Sequence, residues 1–249
     1  MTTADRVLSV LGLFTLERPE WTVDEAAQTL GLSQSTAYQY FRSLVNAGLV
    51  VAFRSGRYVL GPAIIALDRQ TRRCDPFIQA AQAPMHDLGE AASGVGLALL
   101  CRLYGFTVMC VDEAAQEPPG FAVSYERGRP MPLARGAASK IILAHLPPRL
   151  LRRFHEMEAD AVRDAGLGGD WDAFKQTLRD IRKAGYCLTR GDLDSGLTGI
   201  SAPVFAPDGE ILGSIGVVVA VPAAGDQALL ISRVKDAGRG LTSALRRWS

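Results

Sequence analysis

No apolar run in this chain of 249 residues approaches the ~20 residues that span a bilayer, so no membrane segment is expected. The N-terminus, MTTADRVLSVLGLFTLERPE, has neither a basic n-region nor a small-residue cleavage site. A cytoplasmic protein is expected. Cysteine is sparse: Cys74, Cys101, Cys110 and Cys187 form no CxxC pair and read as reduced intracellular thiols. The three histidines, His86, His145 and His155, share no ligand spacing with one another or with the cysteines, so no metal is expected. The segment RGAASK around Lys140 lacks the G-x-x-x-x-G-K-[ST] pattern of a phosphate loop, which excludes nucleotide hydrolysis of that kind. No paired nucleophile and base stands out, and no cofactor is expected. Charge of one sign is lacking too: 27 basic and 26 acidic residues leave a formal +1, so bulk charge does not advertise a polyanionic partner.

What is present is ordinary globular composition, 48% hydrophobic and 21% charged, at a length that fits two domains. Residues 1–73 carry eight Arg against six Asp or Glu, a net +2 that leaves the remainder at −1. DNA binding has to be argued from where the arginines sit. Val7, Val10, Leu11 and Phe14 are spaced as one buried stripe on a helix over 4–16. Thr22 and Glu25 form a T-x-x-E capping box that starts a second helix, and Gly31 is placed to end it. Ser33 caps a third helix that runs to Gly48, after a turn of helix-turn-helix length.

On a helical wheel Ala37, Phe41, Leu44, Val45 and Gly48 converge on one side of that third helix. Ser35, Thr36, Gln39, Arg42, Ser43 and Asn46 fall on the other, a short hydrogen-bonding face free of acid. Gln can read an adenine edge, while Ser, Thr and Arg reach bases or phosphates. Tyr38 and Tyr40 flank the stripe, and either could buttress the core or touch a phosphate. Two alternating strands, 49–53 and 57–60, surround Ser55-Gly56 and put Arg54 and Arg57 at a hairpin tip, the wing. The DNA-contacting set is therefore Ser33, Gln34, Ser35, Thr36, Tyr38, Gln39, Arg42, Ser43, Arg54 and Arg57. Solvated surface or a protein-adaptor face are the alternatives.

Pro62 reads as helix N1 of a connector over 63–73, whose Ile64, Ile65 and Leu67 could pack on the first domain or on a second chain. Beyond it come a helix over 75–92 with a kink at Pro84, and a hairpin over 96–104 and 106–112. A third strand is expected over 121–125, and helices over 137–146 and 171–184. Three further strands, 186–189, 199–205 and 210–221, precede a last helix over 226–247. Strands and helices mix without βαβ repetition, which predicts an antiparallel sheet with helices on its faces.

In this order, the segments LGLSQSTAYQYFRSLVNAGLV (30–50), RGRPMPLARGAASKIILAHLP (127–147) and KAGYCLTRGDLDSGLTGISAPVFAPDGEILGSIGVV (183–218) resemble those of the IclR family of bacterial transcription regulators. The resemblance spans nearly the whole chain. It implies an α+β protein: a winged helix-turn-helix over 1–61, a linker helix over 62–75, and a GAF-like effector-binding domain over 76–249 with an antiparallel sheet flanked by helices. It also implies a homodimer or dimer of dimers on a pseudo-palindromic double-stranded operator, commonly of catabolic genes, and a small-molecule effector such as an aromatic or an organic acid. Carried over, the effector site comprises Met131, Leu133, Ala137, Ala138, Thr189, Asp192, Asp194, Gly199, Ser214, Gly216 and Val218. Ala134 and Ser139 stand where the family usually has His and Gly, and Gly199, Gly216 and Val218 where it often has serines or a cysteine. Those departures imply a roomier, more apolar pocket and an apolar effector.

Asp192 and Asp194, on a glycine-flanked loop, could accept hydrogen bonds from an effector or simply form a solvated turn. Arg135 and Arg190 could pair with an effector carboxylate or stay on the surface. The expected function is an effector-responsive DNA-binding regulator, repressor or activator, and not an enzyme. The rivals are a protein-interaction adaptor and a cysteine redox enzyme, the latter requiring two cysteines such as Cys101 and Cys110 to approach one another.

Overall fold

The computed structural model describes residues 2–92, 96–116, 120–220 and 227–247. Two compact units emerge, Met1–Asp75 and Pro76–Ser249.

In the first unit, α1 (Thr3–Ser9) is followed by a 3-10 turn over Leu11–Leu13 in place of one helix to residue 16. Gly12 weakens helix at that point, and the Leu13 carbonyl accepts a hydrogen bond from Trp21 Nε1 at 2.8 Å. Helix α2 (Val23–Leu30) starts on the Thr22–Glu25 capping box, and α3 (Gln34–Asn46) starts on Ser33. Between them Gly31 adopts a left-handed φ of 62°, and the Leu32 N–H closes back on the Ala27 carbonyl at 2.8 Å. That reversal sets the turn between the helices. Strands β1 (Trp21–Thr22), β2 (Val50–Arg54) and β3 (Arg57–Leu60) form a sheet in the order β1-β3-β2.

The buried stripe of α3 is Ala37, Tyr40, Phe41 and Leu44. It follows i, i+3, i+4, i+7 spacing, which turns Val45 outward to 38% exposure. Tyr40 buttresses the core and Tyr38 faces out. Helix α4 (Ala63–Cys74) begins one residue later than expected, with Pro62 as its cap, and buries no residue; Ile65 is 74% exposed.

The second unit is built on six strands: β4 (Gly96–Tyr104), β5 (Thr107–Ala114), β6 (Pro130–Pro132), β7 (Cys187–Arg190), β8 (Leu197–Phe205) and β9 (Ile211–Ala220). Their order is β6-β5-β4-β9-β8-β7, and every neighbouring pair is antiparallel. One face packs on α5 (Pro76–Ala91) and α10 (Gln227–Arg246) through Phe77, Met85, Leu88, Val234 and Leu241. The other face packs on α6 (Ala137–Ala144) and α9 (Trp171–Ala184) through Ile141, Ile142, Phe174 and Leu178. The alternation of inward residues along β4, with Leu99 and Cys101 on one side and Ala98 and Leu100 on the other, feeds both cores.

Several elements differ from expectation. Residues 121–125 form no strand, because their polar groups bond to side chains of other segments instead of a ladder. The sheet edge is taken by β6, whose two prolines suit an edge position. Helices α7 (Pro148–Met157) and α8 (Ala159–Asp164), where no element was expected, bury Leu151, Phe154 and Val162. The expected ends at Val221 and Asp226 lie outside the described residues.

Candidate DNA-reading face and effector cavity

The exposed side of α3 presents Gln34, Ser35, Tyr38, Gln39, Arg42 and Ser43, with Thr36 half-buried beside them. Ser33 Oγ caps the helix, accepting from the Thr36 N–H at 3.3 Å, and shares hydrogen bonds with the hydroxyls of Ser35 and Thr36. Ser43 Oγ donates to the Gln39 backbone carbonyl, and the Gln39 side chain is exposed on a helix fixed by its buried stripe. A cleft lined by Tyr38, Gln39, Arg42, Val45, Ala52 and Tyr58 separates α3 from the wing.

Arg54 and Arg57 stand at the wing tip, but neither is free. Arg54 Nη2 lies 2.5 Å from Glu20 Oε1, and Arg57 Nη1 lies 3.4 Å from the same oxygen. Sequence reasoning missed Glu20, which sits just before the capping box. The antiparallel register Thr22↔Arg57 delivers it to the wing. Arg18 stacks on Trp21, 3.3 Å from the ring centroid, and pairs with Glu25 at 3.2 Å.

In the second unit, Ala137, Ala138, Thr189, Asp192, Asp194, Gly199 and Val218 line one cavity, with Leu99, Tyr125, Gly136, Leu193, Leu197 and Ser201 completing it. The other residues carried over stand outside it. Ser214 is fully buried and its hydroxyl donates to the Ala138 carbonyl at 3.1 Å. Met131 and Leu133 belong to the core beneath α6, and Gly216 is pressed against Ser201 and the Ile200 carbonyl.

The cavity holds only about 30 Å³, room for water and not for an aromatic ring. Its closure has a definite cause. Leu193 reaches over Gly136, whose φ of +80° starts α6; a Cβ there would lie 2.6 Å from Leu193 Cδ1 and 2.6 Å from Tyr125 Oη. The expected roominess from Gly199 is therefore taken up by the loop above it.

That loop is tied down at two carboxylates. Asp192 Oδ2 accepts from the Gly136 N–H at 2.8 Å and from Lys140 Nζ at 2.8 Å. Lys140, 8% exposed, also donates to the Ala165 carbonyl at 3.1 Å. Asp194 accepts from the Ser124 N–H at 2.9 Å and the Ser124 hydroxyl at 2.5 Å. Tyr125 Oη donates to the Arg135 carbonyl at 3.2 Å and accepts from the Ser139 N–H; burial pushes its phenol well above the usual range. No Arg, Lys or His lines the cavity among the described residues. Arg190 donates instead to Gln227, and Arg135 is exposed outside it. Ala137 and Ala138 line the cavity, and as first-turn residues their N–H groups have no acceptor within the helix.

Cys101 and Cys110 are register partners across the β4–β5 hairpin, both fully buried. The neighbouring Cys110 thiol and burial push the Cys101 thiol up. Burial pushes Cys187 up to about 12. Thiols held protonated in this way are poor nucleophiles. Among the described residues no group of three or more His, Cys, Asp or Glu is placed to hold a metal, and no helix is long and apolar enough to cross a membrane.

The sequence matches the family "Bacterial transcriptional regulator IclR C-terminal" over residues 77–241 and the "IclR helix-turn-helix domain" over residues 3–52. Curated relatives include the Pca regulon regulatory protein of Pseudomonas putida, 21% identical over 87% of this chain and 74% of that protein. Another is the HTH-type transcriptional regulator BhcR of Paracoccus denitrificans, 26% identical over 86% and 75%. Among solved structures, an IclR family transcriptional regulator from Brucella abortus superposes with a TM-score of 0.79 at 20% identity, covering 98% of this chain and 92% of that one. An IclR homolog from Microbacterium hydrocarbonoxydans, complexed with 4-hydroxybenzoate, gives a TM-score of 0.74 at 18% identity, covering 99% and 100%.

Proposed function

This chain belongs to the IclR family of bacterial transcriptional regulators and is an effector-responsive DNA-binding regulator, and on that premise we propose how its own residues divide the work. Gln39 and Arg42 on α3 read base edges in a major groove, while Ser33, Gln34, Ser35, Thr36, Tyr38 and Ser43 position the helix on the backbone. Arg54 and Arg57 bring the wing to phosphate or the neighbouring minor groove. The observation that carries this reading is the acid-free, hydrogen-bonding face of α3, held outward by the buried opposite stripe. Two copies of the chain bind a pseudo-palindrome, since two-fold half-sites are read by two-fold dimers, and such dimers can pair again. The regulator works in the cytoplasm on a catabolic operon, the setting that membership of the family implies.

The effector occupies the cavity over α6, where its acceptor group meets the Ala137 and Ala138 N–H groups and its donor faces Asp194. Apolar walls from Leu99, Leu197 and Val218 suit a small aromatic, and the 4-hydroxybenzoate of the Microbacterium protein supports that class. Entry requires Leu193 to swing out with the 190–196 loop. Effector binding then shifts the balance between two placements of the winged helices and so changes operator affinity.

The test is to pass sheared genomic DNA from the source organism over the purified protein and sequence what is retained. A Gln39→Ala, Arg42→Ala, Arg57→Ala variant runs alongside. Enrichment of one pseudo-palindrome that the variant loses supports the assignment. Equal retention by both proteins refutes it.

A further inference from the structure

Glu20 is an acid placed where a DNA-facing surface would ordinarily carry none. Its Oε1 lies 2.5 Å from Arg54 and 3.4 Å from Arg57, and its side chain is 25% exposed against 62% for Arg54 and 36% for Arg57. Glu20 is the most sheltered member of the trio and immediately precedes β1, while the arginines reach it from β2 and β3. The wing therefore presents two positive charges and one negative charge as a unit, a formal +1 in place of +2.

We propose that Glu20 is a positioning residue of the DNA interface: it holds Arg54 and Arg57 in one geometry and withholds one arginine charge from indiscriminate phosphate contact. The proposal rests on the wing arginines meeting DNA, as argued above. A phosphate must compete with the carboxylate for each guanidinium, so the wing engages fully only where the rest of the interface holds the backbone in place. On random DNA the competition lowers affinity, because one charge fewer takes part in counterion release. At an operator docked by α3 it costs less. Glu20 thus widens the gap between specific and non-specific binding by suppressing the non-specific side.

The experiment uses the full-length protein and a 30-base-pair duplex of random sequence, titrated by fluorescence anisotropy from 50 to 200 mM salt. Glu20→Gln keeps the shape and removes the charge. Relative to wild type, it is expected to steepen the slope of log K against log salt by about 0.9, one additional phosphate contact. That slope corresponds to a gain of roughly tenfold at 50 mM, shrinking to roughly threefold at 200 mM. Glu20→Asp should stay close to the wild-type slope. In an Arg54→Ala, Arg57→Ala background, Glu20→Gln should change nothing. An unchanged slope in the single variant, or lower affinity at every salt concentration, overturns the proposal. An equal gain in the double-alanine background also overturns it, since Glu20 would then act by bulk charge alone. If the Arg54→Ala, Arg57→Ala protein itself keeps the wild-type slope, the wing is not a phosphate contact and both readings fall.

Discussion

Replacing Asp192 with Asn removes the charge that neutralises Lys140 beneath the cavity loop. The Lys140 and Asp192 side chains are 10% and 17% exposed and lie 2.8 Å apart. Breaking a buried pair by removing one partner costs about 3–5 kcal/mol, because the other charge is left uncompensated. Two features reduce that figure here. Lys140 keeps the Ala165 carbonyl as an acceptor, and an asparagine oxygen can still receive the Gly136 N–H. The expected loss for Asp192→Asn is therefore about 2–3 kcal/mol. Lys140→Met should cost about 2 kcal/mol, since Asp192 loses its counter-charge but keeps one N–H donor. The double variant should cost no more than either single one, giving a coupling of at least about 2 kcal/mol. Urea unfolding at fixed protein concentration, followed by tryptophan fluorescence (Trp171 reports on the second unit), measures all four corners of the cycle. Hydrogen exchange across 190–196 should rise in both single variants. A cost below about 0.5 kcal/mol for Asp192→Asn, or strict additivity, would show that the pair does not pin the loop and would remove the physical basis for a closed cavity.

Three further outcomes are expected. Burial and the nearby Arg182 hold the His145 imidazole below its ordinary 6.5, partly offset by its bond to the Ile141 carbonyl, so the unfolded chain binds a proton that the folded chain resists. Stability should therefore be full above about pH 6.5 and fall as pH drops below it, and His145→Gln should flatten that slope in thermal melts; an unaltered slope refutes the assignment. Native protein treated with a thiol reagent at pH 8 should modify at most one cysteine quickly, the exposed Cys74, and all four after unfolding; fast reaction of Cys101, Cys110 or Cys187 would contradict their burial. Gly216→Ser should cost roughly 3 kcal/mol in denaturant melts, because a Cβ there would lie 2.1 Å from the Ile200 carbonyl oxygen; a neutral result would mean β8 and β9 separate freely.

The DNA-binding half was legible because its signals are local. The Thr22–Glu25 capping box, Gly31, the Ser33 cap and an i, i+3, i+4, i+7 stripe all act within a few residues of one another, so periodicity and cap chemistry mark α2 and α3 directly. Even there the stripe's phase was settled by packing: Tyr40 rather than Val45 fits against Phe41 and Leu44, since a 3.6-residue period tolerates either neighbour until a core selects one. The family itself was readable from three segments spread over most of the chain.

What lay out of reach was every contact that joins distant residues. Glu20 meets Arg54 across 34 positions, Ser124 meets Asp194 across 70, and Gly136 meets Asp192 across 56. No local preference encodes such pairs. The segment 121–125 carries strand-like residues, yet it spends its hydrogen bonds on the 190–196 loop and on α6, which a reading of propensity cannot see. The same holds for the cavity. Sequence placed Thr189, Asp192, Asp194, Gly199 and Val218 together through resemblance, but only the fold decides that Leu193 fills the space above Gly136 and that Lys140 holds Asp192 in place. By itself, the sequence determined α2, α3 and the polar side of α3, because caps and periodicity act over short spacings along the chain. The tertiary structure decided which charges are paired and how much room a ligand has, because those depend on chain segments that meet only after folding.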